Sequence, residues 1–259
     1  MTWHARGHDL SVLAVVPARG GSKGVPRKNM QSIGGMSLVG RAVQLAVSLD
    51  LIDHTIISTD DAEIRAEAEC HGAAAPFVRP ADLSGDAARS EDVWRHAWLA
   101  AEDHYAMRFD ISLLLEPTSP LRTGADLSAT VAAVTEGGHA SAATVCRSAA
   151  HFTPHKALTL NDAGCLGFHM HNGTAFSRRQ AIPGAIYHRN GLCYGATRAA
   201  VVDRGEIIGD DCAAVIIDRP IVNIDDAFEL ELAEWLLARQ ERLDAGETAE
   251  TTAPIAVSS

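Results

Sequence analysis

The sequence predicts an α/β fold with a doubly wound, mostly parallel sheet and a small extended insertion. Two observations support this prediction. The segment LSVLAVV at residues 10–16 is almost entirely apolar and rich in valine, as is typical of a strand buried on both faces of a parallel sheet. Strands then alternate with helical patterns as far as Cys146, which is the order expected of successive right-handed βαβ units.

Local signals define the elements that follow the first strand. Ser37 is expected to cap a helix that starts at Leu38, and Asp61 is expected to cap a helix over residues 62–71. Further strands are predicted at residues 54–59, 76–78, 110–115, 142–146 and 213–217, and further helices at residues 91–105, 126–134 and 227–242, with a short helix from Ala199.

The alternation of strands and helices stops between His151 and Pro183. This stretch has no apolar period of helical length, and its glycine and proline residues predict extended strands and turns. We therefore expect one α/β domain made of residues 10–150 and 186–243, with an insertion lobe at residues 151–185. Residues 1–9 and 244–259 are expected to be flexible termini.

Composition restricts the class of protein. A net charge of −11 opposes non-specific binding to nucleic acid and to anionic membranes, so an anionic ligand must be held by local cations. The sequence has no apolar run of transmembrane length and no apolar signal segment near its N-terminus, so a cytoplasmic protein is expected. The five cysteines are widely spaced without C-x-x-C, which favours buried small side chains over disulfides or a zinc site.

A glycine-rich turn with three cations follows the first strand. Pro17 lacks a backbone N–H, so the strand should end there and lead into a loop at the carboxyl edge of the sheet. The loop contains Gly20, Gly21 and Gly24, which let the backbone approach a ligand, and the cations Arg19, Lys23 and Lys28. Its spacing matches neither Walker A nor G-x-G-x-x-G. A loop that binds polyphosphate is predicted, with a solvated basic loop as the alternative.

Five motifs in one order resemble those of the acylneuraminate cytidylyltransferases, the CMP-sialic acid synthetases. They are PARGGSKGVPRKN at residues 17–29, STDD at 58–61, RPADLSGD at 79–86, LLEPTSPLRT at 114–123 and NIDD at 223–226. The resemblance extends over residues 10–240. It implies a Rossmann-like nucleotidyltransferase fold, an enzyme that uses CTP and Mg²⁺, and a homodimer whose insertion lobe reaches toward the partner's site.

The resemblance also implies which residues bind the nucleotide. The matching positions are Ala18, Arg19, Ser22, Lys23, Lys28, Asn29, Arg79, Ala88 and Ser90. Arg19 and Lys23 are implied to be catalytic as well, because they would offset charge that develops on the phosphates. Two alternatives remain open: Ser90 could be the N-cap of the helix that follows it, and Lys28 could be an ordinary surface lysine.

The resemblance implies that Asp225 is a Mg²⁺ ligand and the third catalytic residue, and Asp225 is also a candidate for assisting deprotonation of the acceptor. It follows two apolar residues at the end of an extended segment, so it should face the same carboxyl edge as the glycine loop. Alternatively, Asp225 or Asp226 could cap the helix that begins at Ala227. The family usually has D-x-D here, whereas this chain has Asn223, which can offer Mg²⁺ a carbonyl oxygen without charge.

The acceptor side of the site contains a second departure from the family. The resemblance implies that Glu116, Lys156, Arg179 and Tyr194 bind the acceptor, but the family more often has glutamine at position 116. A carboxylate beside an acidic sugar repels it unless the carboxyl is protonated or paired with a cation. Glu116 therefore indicates either an altered acceptor or a neighbouring arginine.

The resemblance implies that the anomeric hydroxyl of a sialic acid-like 3-deoxy-2-ulosonic acid attacks the α-phosphate of CTP, giving a CMP-sugar and pyrophosphate. One alternative is a cytidylyltransferase for another acidic acceptor, such as a phosphonate. Another is a non-catalytic nucleotide-binding module on the same fold. The central expectation is geometric: Lys23 and Asp225 must line one cleft.

Overall fold

The computed structural model describes residues 4–5, 8–176 and 178–244 of the chain. The strands are β1 (His4–Ala5), β2 (His8–Asp9), β3 (Val12–Pro17), β4 (Ser32–Ile33), β5 (Met36–Ser37), β6 (His54–Ser58), β7 (Ile111–Leu114), β8 (Ser141–Arg147), β9 (Leu158–Leu160), β10 (Leu166–Phe168), β11 (Tyr187–Thr197) and β12 (Cys212–Ile216). The α-helices are α1 (Leu38–Val47), α2 (Ala62–Cys70), α3 (Ser90–Tyr105), α4 (Gly124–Thr135) and α5 (Ala227–Asp244), and a π-helix spans Ala199–Asp203.

Six of these strands form the central sheet, in the order β12, β8, β11, β7, β3, β6. The pairs β12/β8, β7/β3 and β3/β6 are parallel, whereas β11 is antiparallel to both of its neighbours. The predicted doubly wound, mostly parallel sheet is therefore confirmed. The chain leaves β3 for β6 on one side and later reaches β7 on the other, so the carboxyl end of β3 lies at a switch point of the topology.

β3 is buried on both faces, as its apolar sequence predicts. Val12, Ala14 and Val16 pack in one cluster with residues of α1, α2 and α4, whereas Leu13 and Val15 pack in another with the tryptophans of α3. None of these five side chains is more than 2% exposed. Because apolar contacts hold β3 from both sides, the loop that follows it starts from a fixed position.

Side-chain caps fix the starts of the first two helices, as predicted. The Ser37 hydroxyl accepts a hydrogen bond from the Gly40 N–H of α1, and the Asp61 carboxylate accepts bonds from the first turn of α2. The alternative in which Ser90 is the N-cap of α3 is wrong, because Arg89 holds the N-cap position and Ser90 is the first helical residue.

Two local predictions are wrong. The strand expected at residues 76–78 is absent, and its place is taken by an isolated parallel bridge between Ala74 and Ile56. Proline at position 76 has no N–H to extend that pairing, and Val78 is exposed. The expectation of buried cysteines fails for Cys70 and Cys165, which are exposed, although Cys193 is buried.

The insertion consists of short strands and 3₁₀ turns, in agreement with its sequence. β9 and β10 form an antiparallel hairpin in which Leu158 pairs with Phe168 and Leu160 pairs with Leu166. All four of these apolar side chains are exposed, which is an unusual concentration on so small a hairpin.

The predicted domain boundaries stay a prediction. The expected flexible tail after residue 244 and parts of the expected flexible N-terminus, at residues 1–3 and 6–7, lie outside the described residues. Among the helices that the structure describes, none has both the length and the apolar character needed to cross a membrane.

Candidate active site

A cavity of about 440 Å³ opens at the carboxyl edge of the sheet, where β3 and β7 end. Ten of the residues predicted from sequence line it: Arg19, Ser22, Lys23, Lys28, Asn29, Arg79, Ala88, Ser90, Glu116 and Asp225. Lys23 and Asp225 therefore share one cleft, as the geometric expectation requires. In open α/β sheets this edge is where ligands bind, because successive loops converge at the switch point.

The glycine loop and the segment around Asp225 are in direct backbone contact. A Cβ atom on Gly24 would lie 2.0 Å from the Asp225 carbonyl oxygen, far inside any allowed contact. Only glycine lets the two segments approach this closely. The contact brings residues 201 positions apart in sequence to one side of the cavity.

The side chain of Lys28 also links these two segments. Its ammonium donates to the Ile224 carbonyl oxygen at 2.8 Å and to Asp225 Oδ1 at 2.9 Å. The side chain is only 17% exposed, so Lys28 is not an ordinary surface lysine. The alternative left open by the sequence is therefore wrong for this residue.

The helix cap at the start of α5 is made by Asp226 and not by Asp225. Asp226 Oδ1 accepts the Glu229 N–H at 2.9 Å, and Glu229 Oε2 in turn accepts the N–H groups of Asp225 and Asp226. This reciprocal pattern is a capping box. Because Asp226 supplies the cap, the Asp225 carboxylate remains 78% exposed beside the cavity.

The backbone of the glycine loop is held by neighbouring polar side chains. The buried Asn29 amide donates to the Arg19 carbonyl oxygen at 3.0 Å, and Asp60 accepts the Gly20 N–H at 3.0 Å. These bonds fix the path of the loop before any ligand binds. Asn29 thus supports the loop as well as lining the cavity.

Arg19 and Lys23, the other two cations of the loop, both contact an acid that the sequence analysis did not single out. Asp86 Oδ1 lies 2.8 Å from Arg19 Nη1, and Asp86 Oδ2 lies 2.5 Å from Lys23 Nζ. Hydrogen bonds from Lys23 and Arg19 lower the pKa of the Asp86 carboxyl. Its place in the RPADLSGD motif was the only sequence signal for this residue.

Arg79 places a largely buried guanidinium at the cavity. The residue is 5% exposed, and its Nε and Nη2 atoms have no hydrogen-bond partner among the described residues. Asp60 Oδ1 is 3.7 Å from Nη2, which is too far for a hydrogen bond. Burial lowers the pKa of Arg79. Its unfilled donors suit an oxygen-rich ligand.

Glu116 lines the cavity and lies near arginines. This agrees with the interpretation that a neighbouring arginine offsets its charge. Burial raises the pKa of Glu116, and the charges of Arg122 and Arg189 oppose that rise. Arg122 also donates to the Glu116 carbonyl oxygen at 2.7 Å and contacts the Leu192 carbonyl oxygen. Full burial lowers the pKa of Arg122 to about 10. Sequence reasoning missed Arg122, although it stands in the LLEPTSPLRT motif.

Comparison with known proteins identifies the family. A family model described as cytidylyltransferase matches residues 13–190, which include the glycine loop, Arg79, Asp86 and Glu116. The chain belongs to the cytidylyltransferase family. It is therefore an enzyme of the CMP-sugar synthetase type, and the resemblance found in the motifs is confirmed.

Relatives and solved structures agree with this assignment. The cytidylyltransferase is 28% identical to a pseudaminic acid cytidylyltransferase of Campylobacter jejuni, over 86% of this chain and 95% of that one. It is 27% identical to an N-acylneuraminate cytidylyltransferase of Escherichia coli, over 89% of this chain and 53% of that longer protein. A structure of CMP:2-keto-3-deoxy-manno-octonic acid synthetase complexed with CTP has a TM-score of 0.64 at 15% identity, covering 89% of this chain and 99% of that one, and supports the fold.

Four predicted residues of the cytidylyltransferase are not among those that line the cavity, namely Ala18, Lys156, Tyr194 and Asn223. Ala18 is 1% exposed and lies in the core directly before Arg19. Tyr194 is 5% exposed, and burial raises its pKa to about 12. Lys156 ends a 3₁₀ turn of the insertion, and the side chain of Arg179 lies outside what the structure describes. The roles predicted for these residues stay predictions.

The residues near the end of the 221–225 segment fit a magnesium ion. The Asn223 carboxamide oxygen is buried and accepts no hydrogen bond from the described residues, and the Asp225 carboxylate is exposed to the cavity. The described residues contain no group of three or more His, Cys, Asp or Glu that could hold a metal. This donor set matches Mg²⁺, which commonly takes one or two protein ligands and completes its shell with substrate phosphates and water.

Replacing Gly24 by alanine tests the contact with Asp225. The added Cβ would force the two backbones apart, so we expect Gly24→Ala to lower kcat/KM by about 100-fold, the effect of a ~1 Å misplacement, and to lower the Tm. Gly21→Ala is the matched control for stability, because a Cβ there meets nothing within 4 Å. Equal Tm values and equal rates for Gly24→Ala and wild type would contradict the contact.

Replacing Glu116 by glutamine tests its burial. The folded-state pKa is raised above its ordinary value of 4.5, so the folded protein holds this proton more tightly and loses stability as the pH rises through the folded pKa. Glu116→Gln should therefore raise the Tm near pH 8, and the difference should vanish near pH 4. Thermal unfolding across this range measures it, with exposed Glu136→Gln as control. A difference that grows toward low pH would show the opposite shift.

Proposed function

We propose that this cytidylyltransferase couples CTP to an acidic 3-deoxy-2-ulosonic sugar of the sialic acid type, with release of pyrophosphate. The observation that carries the proposal is the convergence of the cationic glycine loop and Asp225 on one cavity. The pseudaminic acid and N-acylneuraminate enzymes among its relatives support this acceptor class. They favour neither the phosphonate acceptor nor the silent module.

In the proposed reaction, the anomeric hydroxyl oxygen of the sugar bonds to the α-phosphorus while the bond from that phosphorus to the β-phosphate oxygen breaks. Pyrophosphate leaves with the electron pair, and Arg19 and Lys23 offset the charge that develops on it. The proton of the attacking hydroxyl passes to Asp225, whose carboxylate is exposed at the cavity. The site works by positioning and charge, without a covalent intermediate.

Two further groups complete the proposed nucleotide site. Asp225 and Asn223 would hold Mg²⁺, which when bound supplies positive charge that neutralises the phosphates. Lys28, which donates to Asp225, would contact the phosphates. Arg79, Ala88 and Ser90 also line the cavity, and the unfilled donors of Arg79 and the Ser90 hydroxyl would bind the cytosine base.

Pyrophosphate release measured with CTP, Mg²⁺ and a panel of acids tests this function. The panel contains N-acetylneuraminate, pseudaminic acid, 3-deoxy-manno-octulosonate and a simple phosphonate. We expect release with at least one ulosonic acid, and loss of release after chelation with EDTA. Release with the phosphonate alone would support the alternative acceptor, and no release with any acid would support a silent module.

Arg19→Gln in the same assay tests the role of the loop cations. Loss of this charge should lower kcat by roughly 100- to 1,000-fold, the ~2.7–4 kcal/mol typical of a lost transition-state donor, while the Tm stays unchanged because Arg19 is partly exposed. The control is Arg27→Gln in the same loop, since Arg27 pairs with Glu63 at the surface and does not line the cavity. Equal effects of both substitutions would refute a specific role for Arg19.

We also propose that the enzyme is a homodimer held by the insertion lobe. The exposed apolar hairpin of β9 and β10 supports this, because such a surface is stabilised when a second copy covers it. In that dimer Lys156 and Arg179 would supply cations to the partner's acceptor site. Light scattering should give a dimer for wild type and a folded monomer for Leu160→Glu with Leu166→Glu. A monomeric wild type would contradict the proposal.

We place this activity in the cytoplasm, because that is where cells keep the CTP it consumes. Fractionation of the native cells, with the protein followed by an antibody, tests this location. Recovery in an extracytoplasmic fraction would contradict it.

A further inference from the structure

The two outer cations of the glycine loop are already paired within the protein. A single carboxylate, that of Asp86, contacts Arg19 with one oxygen and Lys23 with the other, at 2.8 and 2.5 Å. All three side chains are substantially exposed, so the pairs lie in solvent and can open at low cost. Asp86 and both cations line the same cavity.

The bidentate arrangement resembles the way in which a phosphate would engage this loop. A phosphoryl group presents several oxygens to neighbouring cations, and the two Asp86 oxygens divide themselves between Arg19 and Lys23 in that manner. A polyphosphate cannot use both cations fully while Asp86 holds them. The carboxylate and the ligand therefore compete for the same charges.

The segment that carries Asp86 lies at the surface, where Gly85, Asp86 and Ala87 are all exposed. The preceding 3₁₀ turn ends at Leu83, and Gly85 then has open space around the position of a Cβ atom. The described contacts of the Asp86 side chain are those with the two cations. Breaking them would release the carboxylate into solvent without disturbing the core.

We propose that Asp86 is a specificity-determining residue that acts as an internal competitor for the phosphate subsite, so that only a ligand of high negative charge displaces it. Single phosphate ions, which are abundant and weakly held, would fail to compete. A triphosphate brings enough charge to replace the carboxylate and to gain from both cations. The inference rests on the proposed function in one respect, namely that a triphosphate binds at this loop.

The same competition assists the release of pyrophosphate. Once the α-phosphate has been transferred, pyrophosphate no longer has a covalent link to the cytidine and holds the loop by charge alone. Asp86 remains tethered beside it at a high effective concentration and can take back Arg19 and Lys23. Removing the carboxylate should therefore tighten pyrophosphate binding as well as CTP binding.

The experiment compares binding by wild type and Asp86→Asn, using calorimetry with CTP, inorganic tripolyphosphate, pyrophosphate and cytidine. Asparagine keeps the shape of the side chain and removes its charge. Because exposed ion pairs of this kind are individually weak, we expect Kd to fall by about threefold to tenfold for the three phosphate ligands, and to stay unchanged for cytidine. The gain should shrink at high salt, since the competing pairs are screened.

Asp82→Asn is the matched control. It lies in the same segment, is exposed and does not line the cavity, so it should leave all four affinities unchanged. Lys23→Gln provides a second comparison, because it removes one of the two partners. In that background the gain from Asp86→Asn should be smaller, as expected for residues that interact directly.

Two outcomes overturn the inference. If Asp86→Asn binds tripolyphosphate more weakly than wild type, the carboxylate positions the cations instead of competing for them. If the affinity is unchanged, the pairs have no effect on binding. A kinetic measurement adds a second check. If Asp86 competes with CTP, Asp86→Asn raises kcat/KM for CTP, and if Asp86 positions the cations, the same substitution lowers kcat/KM.

Tripolyphosphate separates this inference from the proposed function. If Asp86→Asn binds tripolyphosphate more tightly than wild type, the competition is supported even when no pyrophosphate is released with any of the sugar acids. If wild type releases pyrophosphate with a sugar acid, but wild type and Asp86→Asn bind tripolyphosphate equally, the proposed function is supported and the competition is refuted.

Discussion

The close approach of two backbones, at Gly24 and Asp225, is the constraint on which the rest of the site depends. It joins the loop after the buried strand β3 to the segment that leads into α5. Lys28 holds the two segments together through hydrogen bonds to Ile224 and Asp225. Because Asp226 caps α5, the Asp225 carboxylate does not have to cap the helix. Cations and acid are thereby held side by side at one small cavity, which suits phosphoryl chemistry that works by positioning and charge.

The charge balance of the site explains how an acidic protein can bind an acidic substrate. The chain carries a net charge of −11, yet the cavity gathers Arg19, Lys23, Lys28 and Arg79. In the described residues Arg19 and Lys23 share Asp86, and Lys28 pairs with Asp225, so these two aspartates offset the positive charge of the cavity only in part. An anion of high charge can displace these carboxylates from the cations, whereas an anion of low charge cannot. The carboxylates therefore reduce the binding of weakly charged anions.

Local sequence signals predicted most of the fold, and the family resemblance predicted most of the residues that line the site. The buried strand, the Ser37 and Asp61 caps and the glycine loop depend on neighbouring residues, so the sequence sufficed. The D-x-x-E spacing of Asp226 and Glu229 could have settled which aspartate caps α5. The pairing of Asp86 with Lys23 could not be predicted, because it joins loops 63 positions apart through tertiary structure alone.

The antiparallel strand β11 determines how the insertion is mounted. The chain leaves the sheet at the end of β8 and returns on the adjacent β11, where Tyr187 pairs with Arg147 and Ser148 bonds to Ile186. The residues where the chain leaves and re-enters the sheet are therefore paired on adjacent strands. The insertion is connected to the sheet in the same way as the loop of a β-hairpin. Insertions or deletions in the lobe need not alter the register of the central sheet. Evolution can therefore exchange this module while the catalytic scaffold stays intact.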